Sequence, residues 1–240
     1  LEIEDLKIGF RRRNQTTQVV HGVDFELGES ETVALVGESG SGKSVTALAI
    51  GRLLPGAPQC QVAGSIRFEG RELLGLSLKQ VRKYRGRGIA YIFQEPSSSL
   101  HPQYTVGEQL REVIALHQPE AKDARRAIIE AFDEVGIRNP EKRYRDYPHE
   151  MSGGMRQRVM IAMALACRSK LLIADEPTTA LDVTIQAQIL DLIGRIQRDH
   201  AMTVLLITHN FGIVDGFADR LMVMRSGEIV ESGATSEVLR

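Results

Sequence analysis

TVALVGESGSGKS, residues 32–44, joins a β-type run to a glycine-rich turn and the start of a helical pattern. The first five residues suit a strand buried on both faces of a sheet. The turn satisfies the phosphate-loop pattern G-x-x-x-x-G-K-[ST]. Its members are Gly37, Glu38, Ser39, Gly40, Ser41, Gly42, Lys43 and Ser44.

The residue types of this loop suit a phosphate chain. Glycines let the backbone turn so that its N–H groups point inward around an anion, and the helix that follows adds its positive end. Lys43 is placed to reach the β- and γ-phosphates, and the Ser44 hydroxyl is placed to bind Mg²⁺. A plain glycine-rich turn is the alternative, but the position between a buried strand and a helix argues against it.

Short β-type runs alternate with helical patterns, which predicts an α/β fold with a mainly parallel sheet. Strands are predicted at residues 23–27, 32–36, 89–93, 171–174 and 204–207, with a hairpin at 221–230. Helices are predicted at residues 43–54, 106–117, 121–135, 156–167 and 184–198.

Residues 95–169 contain helical patterns and no convincing strand, which predicts a helical subdomain. It would be inserted into a core made of residues 1–94 and 170–240. The whole of residues 1–240 is then expected to form a single domain, and 240 residues suffice for one large α/β core.

Composition excludes several classes of protein. The 30 basic and 31 acidic residues nearly balance, so there is no electrostatic footprint for nucleic acid. Basic clusters at residues 11–13 and 82–87 are interpreted as solvated faces. Cys60 and Cys167 are too few and too distant for a zinc site or a disulfide framework. No apolar run approaches the roughly 18 residues that a membrane span needs.

Polar residues follow several of the predicted strands. Asp175 and Glu176 end an apolar run, where Mg²⁺ is held in phosphate-loop proteins. We expect Asp175 to bind the metal and Glu176 to act as general base for the attacking water. Gln94 ends another strand and could bind Mg²⁺ or hold the water, and His209 could reach the γ-phosphate. Alone, each would more often be a surface charge or a structural side chain.

A second glycine-containing turn precedes the helical pattern at 156–167. Ser152 can cap that helix, and Gly153, Gly154 and Met155 expose backbone N–H groups to an anion. One nucleotide does not need two such loops from one chain. The simplest interpretation is that the second loop binds the nucleotide of another molecule.

The order of these motifs resembles the ABC transporter ATPase family over the whole chain. In the family's terms, the first loop resembles Walker A, Gln94 the Q-loop, and residues 151–155 the signature. Residues 171–176 resemble Walker B, Ala180, Leu181 and Asp182 the D-loop, and His209 the switch. The resemblance implies a P-loop NTPase fold: a RecA-like core, an N-terminal antiparallel β part and an inserted helical subdomain. It also implies ATP, Mg²⁺ and a head-to-tail dimer with a second ABC ATPase subunit, identical or different.

Two stretches narrow the subgroup. YPHEMSGGMRQR at residues 147–158 and DEPTTALDVTIQAQ at 175–188 are similar to the oligopeptide, dipeptide and nickel importer ATPases. That resemblance implies two membrane permease subunits as partners and a peripheral position on the cytoplasmic face of the inner membrane. It also implies an extracytoplasmic solute-binding protein, which would be an indirect partner. Residues 97–106 are expected to contact a permease.

One position departs from the family. The aromatic ring that usually stacks on adenine is replaced by Thr17 in our alignment, with Gln18 beside it. We therefore expect weak recognition of the base and modest discrimination between ATP and GTP. The alternative is that Phe10 supplies the ring.

Two other classes of ABC ATPase compete with the transporter hypothesis. DNA-repair proteins of the SMC type carry a very long coiled coil between the phosphate loop and the signature. Here the span from Ser44 to Met151 lacks sustained heptads. Ribosome-acting ABC proteins join two ATPase domains in one chain, and this sequence shows one. The transporter class is favoured.

Overall fold

The computed structural model describes residues 1–12, 15–95, 99–179 and 181–239. The chain forms two compact units, one made of Leu1–Arg85 with Thr203–Arg240 and the other of Gly86–Met202. These units group residues by proximity and do not test the subdomain boundaries at 95 and 169, which stay a prediction.

An antiparallel sheet occupies the start of the first unit. Its strands lie in the order β2-β1-β4-β5. Their bounds are Glu2–Arg12 for β1, Gln15–Glu26 for β2, Cys60–Phe68 for β4 and Arg71–Glu72 for β5. Sequence patterns predicted only residues 23–27 of this sheet. Most β2 residues are exposed, so the strand lacks the apolar run that reveals a buried strand.

The second sheet of this unit is built around β3 (Thr32–Val36), which is buried along its whole length. Strand β3 lies parallel to both β8 (Thr203–Thr208) and β9 (Arg220–Arg225). Strand β10 (Glu228–Ala234) pairs antiparallel with β9. The turn between them has φ of 49° at Ser226 and 83° at Gly227, which is typical of a tight hairpin. The predicted strand at 32–36 and the predicted hairpin are confirmed.

Helices of the first unit are α1 (Lys43–Ile50), α2 (Leu78–Val81) and α8 (Thr235–Val238), with a 3₁₀ turn at Phe211–Ile213. Helix α1 ends four residues before the predicted end at 54. The reason is local: Arg52 adopts a φ of 52°, which a right-handed helix cannot accommodate.

The second unit combines a parallel strand pair, β6 and β7, with helices. The strands are β6 (Ile89–Ile92) and β7 (Leu171–Asp175). The helices are α3 (Val106–His117), α4 (Ala124–Glu134), α5 (Pro140–Arg143), α6 (Gly153–Ala166) and α7 (Val183–His200), with a 3₁₀ turn at Pro148–Glu150.

Two helix starts differ from the prediction because side chains cap them. Asp123 accepts a hydrogen bond from the Arg126 backbone N–H at 3.0 Å, so α4 starts after 123 rather than at 121. Ser152 accepts from the Met155 N–H, so α6 starts at Gly153 rather than at 156. The predicted capping role of Ser152 agrees with this geometry.

Helices α3, α4 and α6 share an apolar core. An apolar stripe of α4 and the residue after it is buried: Ile128, Phe132 and the following Val135 are each 0% exposed. Leu110 of α3 and Val159 of α6 are buried in the same unit. Packing of this stripe is therefore expected to stabilise the helical part of the second unit.

The cysteines do not form a disulfide. Cys60 is buried and Cys167 is half-buried, and burial raises the pKa of the Cys167 thiol to about 11. Among the described residues, no cluster of His, Cys, Asp or Glu could hold a metal ion, and no helix is long and apolar enough to cross a membrane.

Replacing Phe132 by alanine should destabilise the chain because it opens a cavity in the helical core. We expect the free energy of unfolding to fall by about 3–5 kcal/mol. Leu116→Ala is the matched control: this leucine of α3 is 71% exposed, so its loss should change stability by at most about 0.5 kcal/mol. Urea denaturation of both variants measures the difference, and equal losses would contradict the assigned core.

Candidate active site

The phosphate loop is fixed by a close approach of backbone to backbone. A side-chain carbon added at Gly37 would lie 2.0 Å from the carbonyl oxygen of Met224 in β9. No residue other than glycine fits there without moving the strand. Gly42 caps α1 with a φ of 108° and supplies no side-chain hydrogen bond to the N–H groups of the first turn of α1. Such groups can bind an anion.

Lys43 closes the loop from inside. Its Nζ donates to the carbonyl oxygens of Gly37 at 2.7 Å and Glu38 at 2.8 Å. The side chain is only 4% exposed, so its positive charge is held at the loop rather than in solvent. Ser41, also buried, lies 3.4 Å from the same nitrogen. Glu38, Ser39 and Gly40 are exposed along the rim of the loop, and Ser44 is half-buried in the first turn of α1.

The hairpin of β9 and β10 supports the loop from behind. The Gly227 N–H donates to the Ser41 carbonyl at 2.9 Å, and the His21 N–H donates to the Gly227 carbonyl at 2.9 Å. No sequence pattern indicated the roles of Gly227 and Met224. The hairpin predicted at 221–230 contains this turn, but residue spacing does not show which loop a turn contacts.

In the second unit, Gln94 and Glu176 meet. The Gln94 amide nitrogen donates to Glu176 Oε2 at 3.0 Å, and the Thr179 hydroxyl donates to the same oxygen at 2.8 Å. Two donors on one oxygen fix the orientation of the carboxylate. Because Gln94 donates through its amide nitrogen, its amide oxygen, the atom that could bind a metal, takes no part in this hydrogen bond. Thr179 was not singled out from the sequence.

Glu176 is held by a strained backbone. Its φ of 47° lies in the left-handed region, which costs about 1–2 kcal/mol for a residue other than glycine. Strain of this kind clusters at functional sites. Asp175, the last residue of β7, is buried and directly precedes it.

The start of α6 packs closely on the start of α7. A side-chain carbon added at Gly154 would lie 2.9 Å from Ile185 Cγ2, and one at Gly153 would lie 3.3 Å from Leu181 Cδ2. Asp182 caps α7 by accepting from the Ile185 N–H at 3.0 Å. Two helix N-termini therefore lie side by side. Ala180 of the predicted D-loop falls outside the described residues.

His209 follows β8 in the first unit and is exposed. The next residue holds the turn: the Asn210 N–H donates to the Thr208 hydroxyl at 3.1 Å, and the Asn210 side chain accepts from the Gly212 N–H. His209 thus stands at the carboxyl end of a strand parallel to β3, as the sequence predicted.

Phe10 and Thr17 are direct partners across the β1–β2 ladder. Their side chains therefore project from the same face of the sheet. Thr17 is exposed and Phe10 is half-buried. Strand β2 also touches the phosphate loop, because the Val19 carbonyl oxygen would lie 3.2 Å from a carbon added at Gly42.

Comparison with known proteins gives the family. The ABC transporter family model matches residues 20–179. Over 239 residues the chain is 53% identical to the peptidoglycan transport ATP-binding protein YejF of Agrobacterium fabrum, covering 99% of this chain and 44% of that protein. It is 51% identical over 239 residues to the oligopeptide transport ATP-binding protein OppD of Bacillus subtilis, covering 99% of this chain and 67% of that protein. The chain belongs to the ABC transporter family, and it spans less than half the length of the Agrobacterium relative.

Solved structures confirm the fold class. A dimeric ATP-binding cassette in a post-hydrolysis state bound to ADP and Pi superposes with a TM-score of 0.86 at 24% identity, covering 98% of both chains. CbiO1 of Clostridium perfringens, part of the ABC transporter complex cbiONQ, gives 0.77 at 25% identity, covering 99% of this chain and 91% of that one. The fold is the P-loop NTPase fold of ATP-binding cassettes.

Two loop glycines give a matched test of the phosphate loop. Gly37→Ala should lower the free energy of unfolding by at least about 3 kcal/mol, because the new methyl group overlaps the Met224 carbonyl and β9 must shift. Gly40 has a φ of 81° but nothing within 4 Å of an added carbon, so Gly40→Ala should cost only about 1–2 kcal/mol of backbone strain. Chemical denaturation of both variants measures the two losses in the free energy of unfolding. A Gly40 variant as unstable as the Gly37 variant would show that the close approach is not the constraint.

Proposed function

We propose that this chain binds and hydrolyses ATP to power an importer of peptides or related small solutes. The observation that carries this proposal is the hydrogen bond from Gln94 to Glu176, because it positions a carboxylate at the end of β7 as a base for water. The phosphate loop supplies the binding site for the nucleotide. Relatives named as oligopeptide and peptidoglycan transport ATP-binding proteins support the transported class.

Binding depends on the loop and α1. Backbone N–H groups of residues 39–44 surround the phosphates, and Lys43 places its charge against the β- and γ-phosphates. Ser44, Gln94 and Asp175 would hold Mg²⁺, because hydroxyl, amide and carboxylate oxygens are the hard donors that this ion prefers. Bound Mg²⁺ neutralises charge on the β- and γ-phosphates.

Hydrolysis is an in-line displacement. Glu176 accepts a proton from water as the water oxygen bonds to the γ-phosphorus and the bond to the bridging oxygen of ADP breaks. The products are ADP and inorganic phosphate. Thr179 and Gln94 orient Glu176, and His209 contacts the γ-phosphate and stabilises the charge that develops on it.

The second helix start indicates a partner. Ser152, Gly153, Gly154 and Met155 present a helix N-terminus that the chain's own ATP does not need. We assign it to the ATP of a second ABC ATPase subunit, identical or different, in a head-to-tail dimer. A solved cassette of similar fold is described as dimeric, which supports the pairing of two such subunits.

The membrane partners follow from the proposed import function. The dimer would act on two permease subunits from the cytoplasmic face of the inner membrane, as a peripheral subunit, with a solute-binding protein acting indirectly from outside. Residues 97–106 are the proposed permease contact. Residues 97 and 98 lie outside the described part of the chain, whereas Tyr104 is described and is 55% exposed. The near-neutral charge supports the absence of nucleic acid among the partners.

Glu176→Gln should keep ATP binding and lose turnover, because the amide retains the shape of the side chain but cannot accept the proton. We expect the ATPase rate to fall by about 10²- to 10⁴-fold. The control is Glu112→Gln, an exposed glutamate of α3 that should leave the rate unchanged. Phosphate release and nucleotide titration measure the two properties. Turnover near that of the unchanged chain in Glu176→Gln would refute its role.

Recognition of adenine can be assigned with two variants. The cross-strand pairing of Phe10 with Thr17 favours Phe10 as the stacking ring over the absence of a ring that our alignment implied. Phe10→Ala should then weaken ATP binding by about 5- to 150-fold, the equivalent of roughly 1–3 kcal/mol. Thr17→Ala is the neighbouring control and should change binding little. If neither variant alters affinity, the original expectation of weak base recognition stands.

A further inference from the structure

A pocket separate from the phosphate loop opens in the first unit. It has a volume of about 440 Å³, within the range of ligand sites, and lies between the end of α1, strand β4 and the segment after β5. Its walls are mainly apolar, with Leu54, Pro55, Val62 and Leu74 among them. No carboxylate lines it among the residues that the structure describes.

The walls are held in place by two arginines. Arg52 donates to the carbonyl oxygens of Leu73 and Leu76, which ties the end of α1 to the segment after β5. Arg85 donates to the carbonyl oxygens of Gly51 at 2.8 Å and Arg52 at 2.6 Å. The Arg85 bonds satisfy carbonyl groups at the end of α1. Together the two arginines tie the end of α1, the segment after β5 and the residues after α2 to one another by hydrogen bonds.

The rim of the pocket combines an exposed apolar side chain with positively charged side chains. Leu78 of α2 lines the pocket and is 58% exposed. Lys79, Arg82 and Lys83 follow it, all exposed, and their side chains pair with no other described residue. Arg82 lies one helical turn from Leu78, on the same side of α2. Residues 73–85 contain no Asp or Glu, so no nearby acid in this segment neutralises these charges.

An apolar pocket beside exposed cations is complementary to a molecule with an apolar chain and an anionic head. We propose that this pocket binds an acyl chain of an anionic membrane phospholipid, while Lys79, Arg82 and Lys83 contact its headgroup and those of neighbouring lipids. The site would give the chain a direct contact with the membrane surface, beyond its contacts with permease subunits. Arg82 and Lys83, which belong to the basic cluster at residues 82–87 interpreted from the sequence as a solvated face, would then be part of a lipid-binding rim.

Sedimentation with vesicles tests the charged rim. The 240-residue chain should bind vesicles that contain phosphatidylglycerol and not pure phosphatidylcholine, and salt should weaken the binding. Replacing Lys79, Arg82 and Lys83 together by glutamine should lower the affinity by roughly 100-fold, at about fivefold for each cation. The control replaces Lys122, Arg138 and Arg145 of the second unit by glutamine, which removes the same charge from other exposed positions. Equal losses in both triple variants, or no preference for anionic vesicles, would overturn the proposal.

Binding of an acyl chain in the apolar pocket is tested by a separate measurement. An environment-sensitive fluorophore on Leu78→Cys should shift to shorter wavelength with phosphatidylglycerol vesicles, whereas one on Leu116→Cys, at an exposed leucine of the second unit, should not. Equal shifts at both positions would indicate non-specific adsorption and refute the site. A shift with free laurate but not with vesicles would refute the membrane lipid as the source. The affinity for ATP should be unchanged in the variant that replaces Lys79, Arg82 and Lys83. This result would separate lipid binding from the ATPase function.

Discussion

The contact between the Gly37 backbone and the Met224 carbonyl is the constraint on which the nucleotide site depends. It presses the phosphate loop against β9, and the β9–β10 turn then reaches the Ser41 carbonyl through the Gly227 N–H. The same turn contacts β2, so both sheets of the first unit meet at the loop. A loop supported in this way can keep its N–H groups directed at a ligand without a large ordering cost on binding.

A second constraint acts on Glu176, the carboxylate proposed to activate water. Glu176 is held in a strained conformation, and its carboxylate is oriented by Gln94 and Thr179. Under the proposed function, in which Glu176 is the general base, fixing that base before the substrate arrives reduces the reorganisation that the reaction requires. Gln94 also leads directly into the segment proposed to contact a permease. A shift of that segment would change the hydrogen bond to Glu176, which offers a physical link between transport and hydrolysis.

Sequence patterns predicted those parts of the fold that a single strong physical signal specifies. Strands β3, β7 and β8 are buried on both faces, and their apolar runs were recognised. Strands β1 and β4 were missed because each shows a mixture of exposed and buried residues, with register shifts that break the alternation. Helix ends were misplaced where a cap or a left-handed residue such as Arg52 overrides propensity.

The candidate site likewise combines residues that sequence patterns predicted with contacts that they did not predict. Motifs selected the loop, Asp175, Glu176, Gln94 and His209 as candidates, because each follows a strand in a pattern that chemistry explains. The pairing of Phe10 with Thr17 depends on hairpin register, and the meeting of Gln94 with Glu176 depends on side-chain conformations across neighbouring strands. Neither can be read from residue spacing. The pocket beside α2 is formed by segments distant in sequence, so only the exposed basic cluster was visible beforehand.

We propose that the two anion-binding helix starts of one chain serve two different ATP molecules. It can be tested by mixing two inactive variants of the chain paired with itself, Lys43→Ala and Gly153→Asp. If the start of α6 acts on the partner's ATP, a mixed dimer contains one site with both an intact phosphate loop and an intact signature. The ATPase rate of the mixture should then rise clearly above that of either variant alone. A mixture that forms mixed dimers but remains as inactive as its components would contradict the account.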